Sequence, residues 1–550
     1  MRIMEIGIEV IVIALYLILM LVVGFLTQKI GSSSSKGYLV ANRNVGALLI
    51  GGTIFATFWG GGTVMGGAGA AYTSYNIGTV ADPWASGITL IIMAIFMVPL
   101  LLKMKIGTLG EMYRIRFGKR GAYVASILSV PTLIAWTAVQ MVAIGKMLSL
   151  FIGMSPAVSM ILAGGIVIIY TYMGGMLAVI WTDNIQAAII ILGLMVLIPS
   201  AICYIAVGNT DFVVNLDNLV SGFSIVKDNT PNDFWTLFPS SDPDHPSGIT
   251  RNLKGYLVWM AAWCGMGLGS LASLDITQRV LCARDENAAR GGLLTGTALY
   301  WVAGLGPIFI GLLGIVMTQL GILSGVEIGI LSNDAEVLVP LLAQKLLHPI
   351  PMAIFVGSLM AAIMSTSSST IFASAAVIST VLFPGSVGNK DSSESILNDK
   401  KAIRMTKFLV VVIGVFCIGI SFLAVNLYDL MIFGFTLLFA CLFWVVVCGL
   451  FWKKANIPGG VASMLVGISF SILGCIYLSI QSGTLMIVPE DSTWEIYFTF
   501  VPWIFSGIAM FAVSLLTQKS HPPLPLTDSD GKILKWPELE GNLEKERSEL

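Results

Sequence analysis

Residues 55–62 read Phe55-Ala56-Thr57-Phe58-Trp59-Gly60-Gly61-Gly62, and three further glycines follow in the same apolar stretch, at 66, 67 and 69. A second glycine cluster, formed by Gly265, Gly267 and Gly269, lies five apolar stretches further along the chain. A single glycine in a membrane helix often only permits close packing. Paired interruptions at corresponding places in two five-span units instead predict an inverted-repeat transporter whose broken second and seventh helices form a midplane site.

The composition is that of an integral membrane protein. Of 550 residues, 56% are hydrophobic and 11% are charged, whereas an average soluble domain carries about 25% charged residues. The apolar runs lack the two-residue alternation of membrane β-strands, so we predict an all-α protein with about 13 transmembrane helices. The predicted spans are 6–26, 46–75, 81–103, 122–151, 156–173, 184–207, 254–274, 291–319, 351–384, 408–425, 428–451, 458–480 and 496–517.

The distribution of Lys and Arg predicts the orientation in the cell membrane. Most of the 30 basic residues fall in segments that thirteen spans place on one side. Those segments are 27–43, 103–120, 275–290, 385–407, 452–455 and the tail after 517. Because basic loops face the cytoplasm, we predict a multi-pass protein of the plasma membrane with its N-terminus outside and its C-terminus cytoplasmic.

The spans divide the chain into six parts. Residues 1–45 hold the first transmembrane helix and a cytoplasmic loop, and residues 208–253 form an extracellular loop. The two five-helix repeats are 46–207 and 254–451. Two C-terminal transmembrane helices occupy 452–517, and the polar tail, 518–550, is predicted to be disordered.

Six consecutive hydroxyl residues, at 365–370, lie inside the apolar span 351–384. One or two Ser or Thr in a span usually bond back to a helix carbonyl. Six in a row need an ion, water or a polar partner, because an unpaired hydroxyl in lipid is costly. The Ala362 carbonyl and the hydroxyls of Ser365 and Thr366 share one helix face, which Ser368 and Ser369 continue. Carbonyls freed by the break in the second span would complete a cation site.

Asp183 is a second candidate, in Trp181-Thr182-Asp183-Asn184 at the start of an apolar span. Two interpretations stand side by side. Asp is a favoured helix N-cap, and an ionisable residue at membrane depth also indicates an ion pathway.

Several motifs together resemble the sodium/solute symporter family over the chain up to about Thr517. They are Ala56-Thr57-Phe58-Trp59, Arg114-Ile115-Arg116-Phe117-Gly118, Tyr170-Thr171-Tyr172-Met173-Gly174-Gly175, Trp181-Thr182-Asp183, Gln278-Arg279, Ala283-Arg284-Asp285 and Ala361-Ala362-Ile363-Met364-Ser365-Thr366. The resemblance implies a 5+5 inverted-repeat core (LeuT-like) with additional outer helices, and Na⁺ as the coupling ion.

The same resemblance implies two sets of sodium ligands. The first comprises the carbonyls of Ala56, Trp59 and Ala362 and the hydroxyls of Ser365 and Thr366. Some members bind a second sodium, whose matching ligands are Asp183, Ser365, Ser368 and Ser369. One or two coupled sodium ions are therefore expected.

The solute pocket is predicted between the broken helices and the span 122–151. Its candidate lining residues are Phe58, Trp59, Trp136, Gln140, Trp263 and Met266; the alternative for each aromatic ring is simple packing. Residues 58–62 and Trp136 are similar to parts of the ammonium cage of high-affinity choline transporters, and aromatic faces attract quaternary ammonium groups. Ser273 and Met431 stand at two other cage positions, so we expect an ammonium, betaine or amino-acid-like solute rather than choline itself.

These observations favour a sodium-coupled symporter that imports a small organic solute by alternating access. The alternatives are a transporter-fold sensor that signals to a separate partner, and a symporter for another small metabolite such as a carboxylate. The sequence has no His/Asp/Glu metal set or nucleophile–base pair at membrane depth, so an enzyme is not expected. The net charge of −1 indicates no nucleic-acid partner. The expected partners are the solute, sodium and the lipid bilayer; the sequence leaves proton coupling and the oligomeric state open.

Overall fold

From Ser35 onward, the computed structural model describes residues 35–208, 213–382, 393–422, 427–482 and 492–534. These residues form helices, with no β-strand beyond isolated bridges. The predicted first span, 6–26, and the last part of the tail, 535–550, lie outside the described residues.

The described helices are numbered in chain order. They are α1 (Ser35–Val40), α2 (Ala47–Phe58), α3 (Gly67–Ser74), α4 (Trp84–Ile92), α5 (Val98–Lys103), α6 (Leu109–Ile152), α7 (Pro156–Val207), α8 (Leu216–Asp228), α9 (Leu253–Gly269), α10 (Leu274–Val280), α11 (Glu286–Gln319), α12 (Gly325–Asn333), α13 (Leu338–Leu346), α14 (Pro349–Leu382), α15 (Ser393–Ser421), α16 (Leu427–Phe451), α17 (Ile457–Ser482) and α18 (Ser492–Leu516). Single π-helical turns join α2 to α3 and α4 to α5.

Within the described residues, eleven helices are long and apolar enough to cross a membrane. A bent pair, Ala47–Phe58 with Gly62–Ser74, adds a twelfth when it is counted as one span. In order, they correspond to the twelve predicted spans from 46–75 to 496–517. Large apolar side chains such as Leu192, Val302 and Ile480 are exposed on their outer faces, as a lipid environment requires.

Helix α14 lies at the centre of the bundle, against α6 and α7, while α2 packs against α7 and α11. All six hydroxyl residues at 365–370 are buried. Because α14 carries these polar groups, its central position surrounds them with protein rather than lipid.

Two glycines bend the long helices. Gly118 in α6 (φ +64°) and Gly175 in α7 (φ +61°) adopt a left-handed backbone that other residues rarely tolerate. At Gly175 an added Cβ would also approach the Tyr38 carbonyl oxygen to 2.9 Å. The bend divides α7 into Pro156–Met173 and Gly175–Val207, so this span begins before the predicted 184–207.

Two segments predicted as loop or tail are packed. The start of the predicted loop 275–290 belongs to α10, whose seven residues are all buried. The tail is not disordered throughout, since Ser529 donates from its backbone N–H to the Met104 carbonyl over 2.8 Å. Arg116 also donates to the Leu524 carbonyl. The expectation of disorder is therefore wrong for residues 518–534, because the buried Arg116 guanidinium and the Met104 carbonyl form hydrogen bonds with this part of the tail.

Candidate functional site

The break that ends α2 frees two backbone carbonyls. The helix bends by 60° between Phe58 and Gly62. The N–H of Gly60 donates to Phe58 O over 3.0 Å instead of to Ala56 O. The N–H of Gly61 donates to the Gln140 side chain over 2.7 Å instead of to Thr57 O. The carbonyls of Ala56 and Thr57 are thus available to groups outside their own helix.

Two α14 hydroxyls meet these carbonyls. Ser365 Oγ lies 3.3 Å from Ala56 O. Thr366 Oγ1 lies 3.1 Å from Thr57 O, 3.4 Å from Ala56 O and 3.3 Å from Ala362 O. Five neutral oxygens therefore cluster where a helix C-terminus presents its negative end, which is the chemistry that Na⁺ requires.

The cluster contains four of the five residues predicted for the first sodium site. Ala56, Ala362, Ser365 and Thr366 come together as expected. Thr57, which the sequence analysis missed, supplies the other carbonyl that Thr366 contacts. Trp59 ends α2, and its N–H donates to Phe55 O over 3.1 Å.

The other hydroxyls of α14 bond mainly within their own helix. Ser367 donates to Ile363 O over 2.8 Å, and Ser368 and Ser369 donate to Ser365 O over 2.9 and 2.8 Å. This is the ordinary behaviour of Ser in a membrane helix. The six hydroxyls thus divide into a pair that reaches the break and a group that is satisfied locally.

Asp183 lies within α7 and does not cap it. Its side chain is fully buried. Oδ1 accepts from Ser365 Oγ over 2.6 Å, and Oδ2 accepts from the Thr53 hydroxyl. Since the helix already runs from Gly175, the N-cap interpretation is wrong. Asp183 instead belongs to a buried polar cluster with Ser365 and Thr53 next to the break.

Arg279 is a member of the site that the sequence analysis did not single out. This guanidinium, 1% exposed, pairs with Asp183 Oδ2 over 2.9 Å. It also donates to Thr53 Oγ1 over 2.9 Å and to the Ser369 hydroxyl. Arg279 thereby neutralises Asp183 and stands among the residues predicted for the second sodium site. The only sequence signal was Gln278-Arg279 itself, and it lay in a segment interpreted as a loop.

Three of the candidate solute residues, Phe58, Trp59 and Gln140, lie at the break. Phe58 and Trp59 are buried, and their ring centroids lie 5.2 and 6.4 Å from that of Tyr300. Gln140 reaches the break from α6, and its Nε2 lies 3.4 Å from the carbonyl of Trp136. A Cβ on Gly60 would approach Gln140 Oε1 to 2.6 Å, so glycine is what permits this amide to enter.

The remaining candidates lie elsewhere or pack. Trp263 donates to Gly78 O over 2.9 Å. It lines an open cavity of about 90 Å³ together with Trp259 and Tyr428. Met266 is fully buried in α9, and its carbonyl accepts from Ser270. Trp136 packs edge-on against Phe435, with centroids 5.2 Å apart.

A helical membrane protein with a broken span and freed carbonyls facing buried hydroxyls has the architecture of a secondary transporter. Comparison with known families agrees: the Sodium:solute symporter family matches residues 38–467. The chain belongs to this family.

Individual relatives are distant and transport different solutes. The Sodium/pantothenate symporter of Haemophilus influenzae is 26% identical over 459 residues, covering 79% of this chain and 83% of its own. The High affinity choline transporter 1 of Homo sapiens is 25% identical over 475 residues, covering 84% and 76%. The structure of a Na⁺-coupled sialic acid symporter matches with a TM-score of 0.71 at 20% identity, covering 92% and 98%. This last likeness establishes the fold.

Proposed function

We propose that this protein is a sodium-coupled secondary active symporter that imports a small organic solute by alternating access. In this proposal its N-terminus is outside and its C-terminus cytoplasmic, and the two five-helix repeats are 46–207 and 254–451. The observation that carries the proposal is the group of oxygens from Ala56, Thr57, Ala362, Ser365 and Thr366 at the break of α2.

The first sodium site is proposed at this group. Thr366 donates to a carbonyl and Ser365 donates to Asp183 Oδ1, so the lone pairs of both hydroxyls are available for a bound Na⁺. The resemblance adds the Trp59 carbonyl as a further proposed ligand. A neutral oxygen set beside a helix C-terminus favours a monovalent cation.

A second sodium at Asp183, Ser365, Ser368 and Ser369 is a weaker proposal. Arg279 already neutralises Asp183 and contacts Ser369. A second Na⁺ would have to displace this guanidinium from the carboxylate. We therefore propose a single coupled sodium, which the ratio of sodium to solute flux in proteoliposomes tests; a ratio of two would show that Arg279 leaves Asp183 during the cycle.

The proposed solute is an ammonium, betaine or amino-acid-like compound. Support comes from the aromatic rings of Phe58, Trp59 and Tyr300 at the break. Aromatic faces stabilise organic cations by about 0.5–2 kcal/mol. A carboxylate solute is less well supported, because Arg279, the basic group in the cluster, is already engaged by Asp183.

One sodium ion supplies enough energy for concentrative uptake. A tenfold gradient is worth about 1.4 kcal/mol, and a potential of about 100 mV adds about 2.3 kcal/mol per charge. Together they support a gradient of about 500-fold for a neutral solute.

A thermal-shift screen of the purified protein in sodium or potassium tests the proposal, since a ligand stabilises the state that it binds. We expect stabilisation by sodium alone and by a solute only when sodium is present. Sodium-driven solute uptake in proteoliposomes then separates a symporter from a sensor. Binding without flux would favour the sensor, and the absence of any sodium response in folded protein would contradict the symporter mechanism.

A further inference from the structure

Asp82 is a buried carboxylate that lacks the basic partner found for the buried acids Asp183 and Glu336. It is 2% exposed, and the described residues form no ion pair with it. Asp183 pairs with Arg279 over 2.9 Å, and Glu336 pairs with Lys146 over 2.7 Å. A buried carboxylate without a cation is strongly unfavourable, so Asp82 has to be neutralised either by a proton or by a positive partner from outside the chain.

Three hydroxyls hold this carboxylate in place. Ser86 Oγ donates to Oδ1 over 2.9 Å, Thr63 Oγ1 lies 2.8 Å from Oδ2, and the Tyr300 hydroxyl also donates to Oδ2. Hydroxyl donors stabilise the ionised form of a carboxylate and fix its direction, but they carry no charge. Ser86 and Tyr300 donate to the carboxylate, while the single proton of Thr63 is shared between Oδ2 and the Phe58 carbonyl, and none of these bonds neutralises an ionised Asp82.

The carboxylate lies next to the break of α2. Thr63 Oγ1 is also 2.8 Å from Phe58 O, the carbonyl at the C-terminal end of that helix. The rings of Phe58 and Trp59 approach Tyr300, whose hydroxyl contacts Asp82. A carboxylate, a helix C-terminus and aromatic rings all attract cations, and here they meet in one place beside the proposed solute pocket.

An open cavity of about 90 Å³ lies nearby, and Gly78 and Thr79, from the segment that precedes Asp82, belong to its lining. It combines aromatic rings with two acidic side chains; it includes Trp259, Trp263, Tyr428, Phe433, Asp429 and Glu495. Tyr428 connects the cavity to the break, since its Cβ lies beside Gly66 and it is close enough to Asp82 for an electrostatic interaction.

We propose that Asp82 is the counter-charge for a cationic nitrogen of the transported solute, which enters through the cavity at Trp263 and Tyr428. The substrate class is organic ammonium compounds. This inference rests on the proposed symport function and adds a residue that selects for charge. The proton and Na⁺, which could also neutralise a carboxylate, are outcomes of the test below.

The test uses the purified full chain in sodium and pairs of probes that differ in charge. Choline is compared with 3,3-dimethylbutan-1-ol, its uncharged carbon analogue; proline, glucose and pantothenate represent zwitterionic, neutral and anionic solutes. We expect an ammonium compound to bind in sodium while its neutral analogue does not. In the Asp82→Asn variant the Kd for that compound should rise by about 30-fold or more, with the sodium affinity unchanged.

Two further variants keep the test informative if Asp82→Asn does not fold. Tyr300→Phe retains the carboxylate and removes one donor, so a smaller loss of about 5-fold is expected. Asp244→Asn makes the same chemical change on an exposed loop residue and should leave binding as it is.

Each other outcome overturns the inference. Equal binding of the neutral analogue, or binding only of neutral or anionic probes, would remove the charge requirement. Loss of sodium binding in Asp82→Asn would make Asp82 a sodium ligand, and loss only of the pH dependence of uptake would make it a proton carrier. Sodium stabilisation with no ammonium compound bound would reject this inference and keep the symporter, whereas no sodium response at all would reject the symporter itself.

Discussion

The two glycine clusters look alike in sequence but differ in structure. At residues 60–62 the helix breaks and bends by 60°. At residues 265–269 helix α9 is unbroken but ends at Gly269, and a 3-10 turn at 270–272 and the extended Ser273 separate it from α10. The predicted seventh span, 254–274, is therefore interrupted directly after its glycines rather than between them, and Gly267 and Gly269 also allow close packing.

The neighbours of each cluster explain the difference. A Cβ on Gly267 would lie 2.9 Å from the Ala85 carbonyl oxygen, and one on Gly269 would overlap the carbonyl oxygen of Phe435. In α9 the glycines thus admit neighbouring backbones. At the break, the side-chain oxygen of Gln140 accepts a hydrogen bond from the N–H of Gly61. This bond replaces the helical hydrogen bond from that N–H to the Thr57 carbonyl. Glycine permits both arrangements, and the group that approaches it decides which one forms.

The largest expected effect concerns the buried ion pair between Arg279 and Asp183 near the break, rather than the glycines of the break. Arg279→Met leaves Asp183 buried without its partner and should lower the stability by about 3–5 kcal/mol. The double variant Arg279→Met/Asp183→Asn should recover most of this loss. Reversible SDS denaturation measures both. A double variant as unstable as the single one would show that the bonds of Arg279 to Thr53 and Ser369 matter more than its charge.

The packing role of the second cluster is tested by Gly269→Ala. The added methyl group meets a backbone atom that cannot rotate away, so we expect a loss of about 1–3 kcal/mol. Gly67→Ala is the matched control, because nothing lies within 4 Å of an added Cβ at that position. The melting temperatures of the two variants provide the comparison. Equal melting temperatures would mean that α9 and α16 can move apart without cost.

The ion-binding role of the first region is tested on α14. Thr366→Ala and Ser365→Ala each remove a proposed ligand and should raise the sodium concentration for half-maximal uptake about tenfold. Ser367→Ala is the control, since this hydroxyl bonds back to Ile363 O. Unchanged sodium dependence in both ligand variants would remove the first sodium site from this cluster.

The smallest expected effect concerns Trp136, one of the candidate solute-binding residues. Trp136→Ala should weaken solute affinity about fivefold, as the loss of a cation–π contact would, while sodium affinity stays nearly intact. Trp503→Ala, in an aromatic stack with Phe439 and Trp444, should leave solute affinity as it is. If Trp136→Ala reduces only the yield of folded protein, Trp136 is a packing partner of Phe435.

The sequence predicted much of the fold because membrane spans are a local property. A run of about 20 apolar residues has to be helical in lipid, and twelve predicted spans correspond to helices. The errors occur where tertiary contacts outweigh composition. Residues 275–280 carry charges and were interpreted as loop, yet they form a buried helix since Arg279 finds a carboxylate inside the bundle.

The candidate site was predicted in part for a similar reason. The helix periodicity placed Ala362, Ser365 and Thr366 on one face, which requires only local geometry. Thr57, Arg279 and Asp82 were missed because their roles depend on partners that lie far away in sequence, on α14, α7 and α11 respectively. Their burial and their distances to these partners are properties of the packed bundle alone.

By itself, the sequence determined that the chain is a helical membrane protein, that its hydroxyl cluster lies inside a span, and that it resembles sodium/solute symporters. Hydropathy and helix periodicity act within one segment, so they can be read without a fold. Only the tertiary structure decided which glycines break a helix, which carbonyls become free, and which buried acids have a basic partner. Those features depend on the atoms that neighbouring helices bring to within hydrogen-bonding distance.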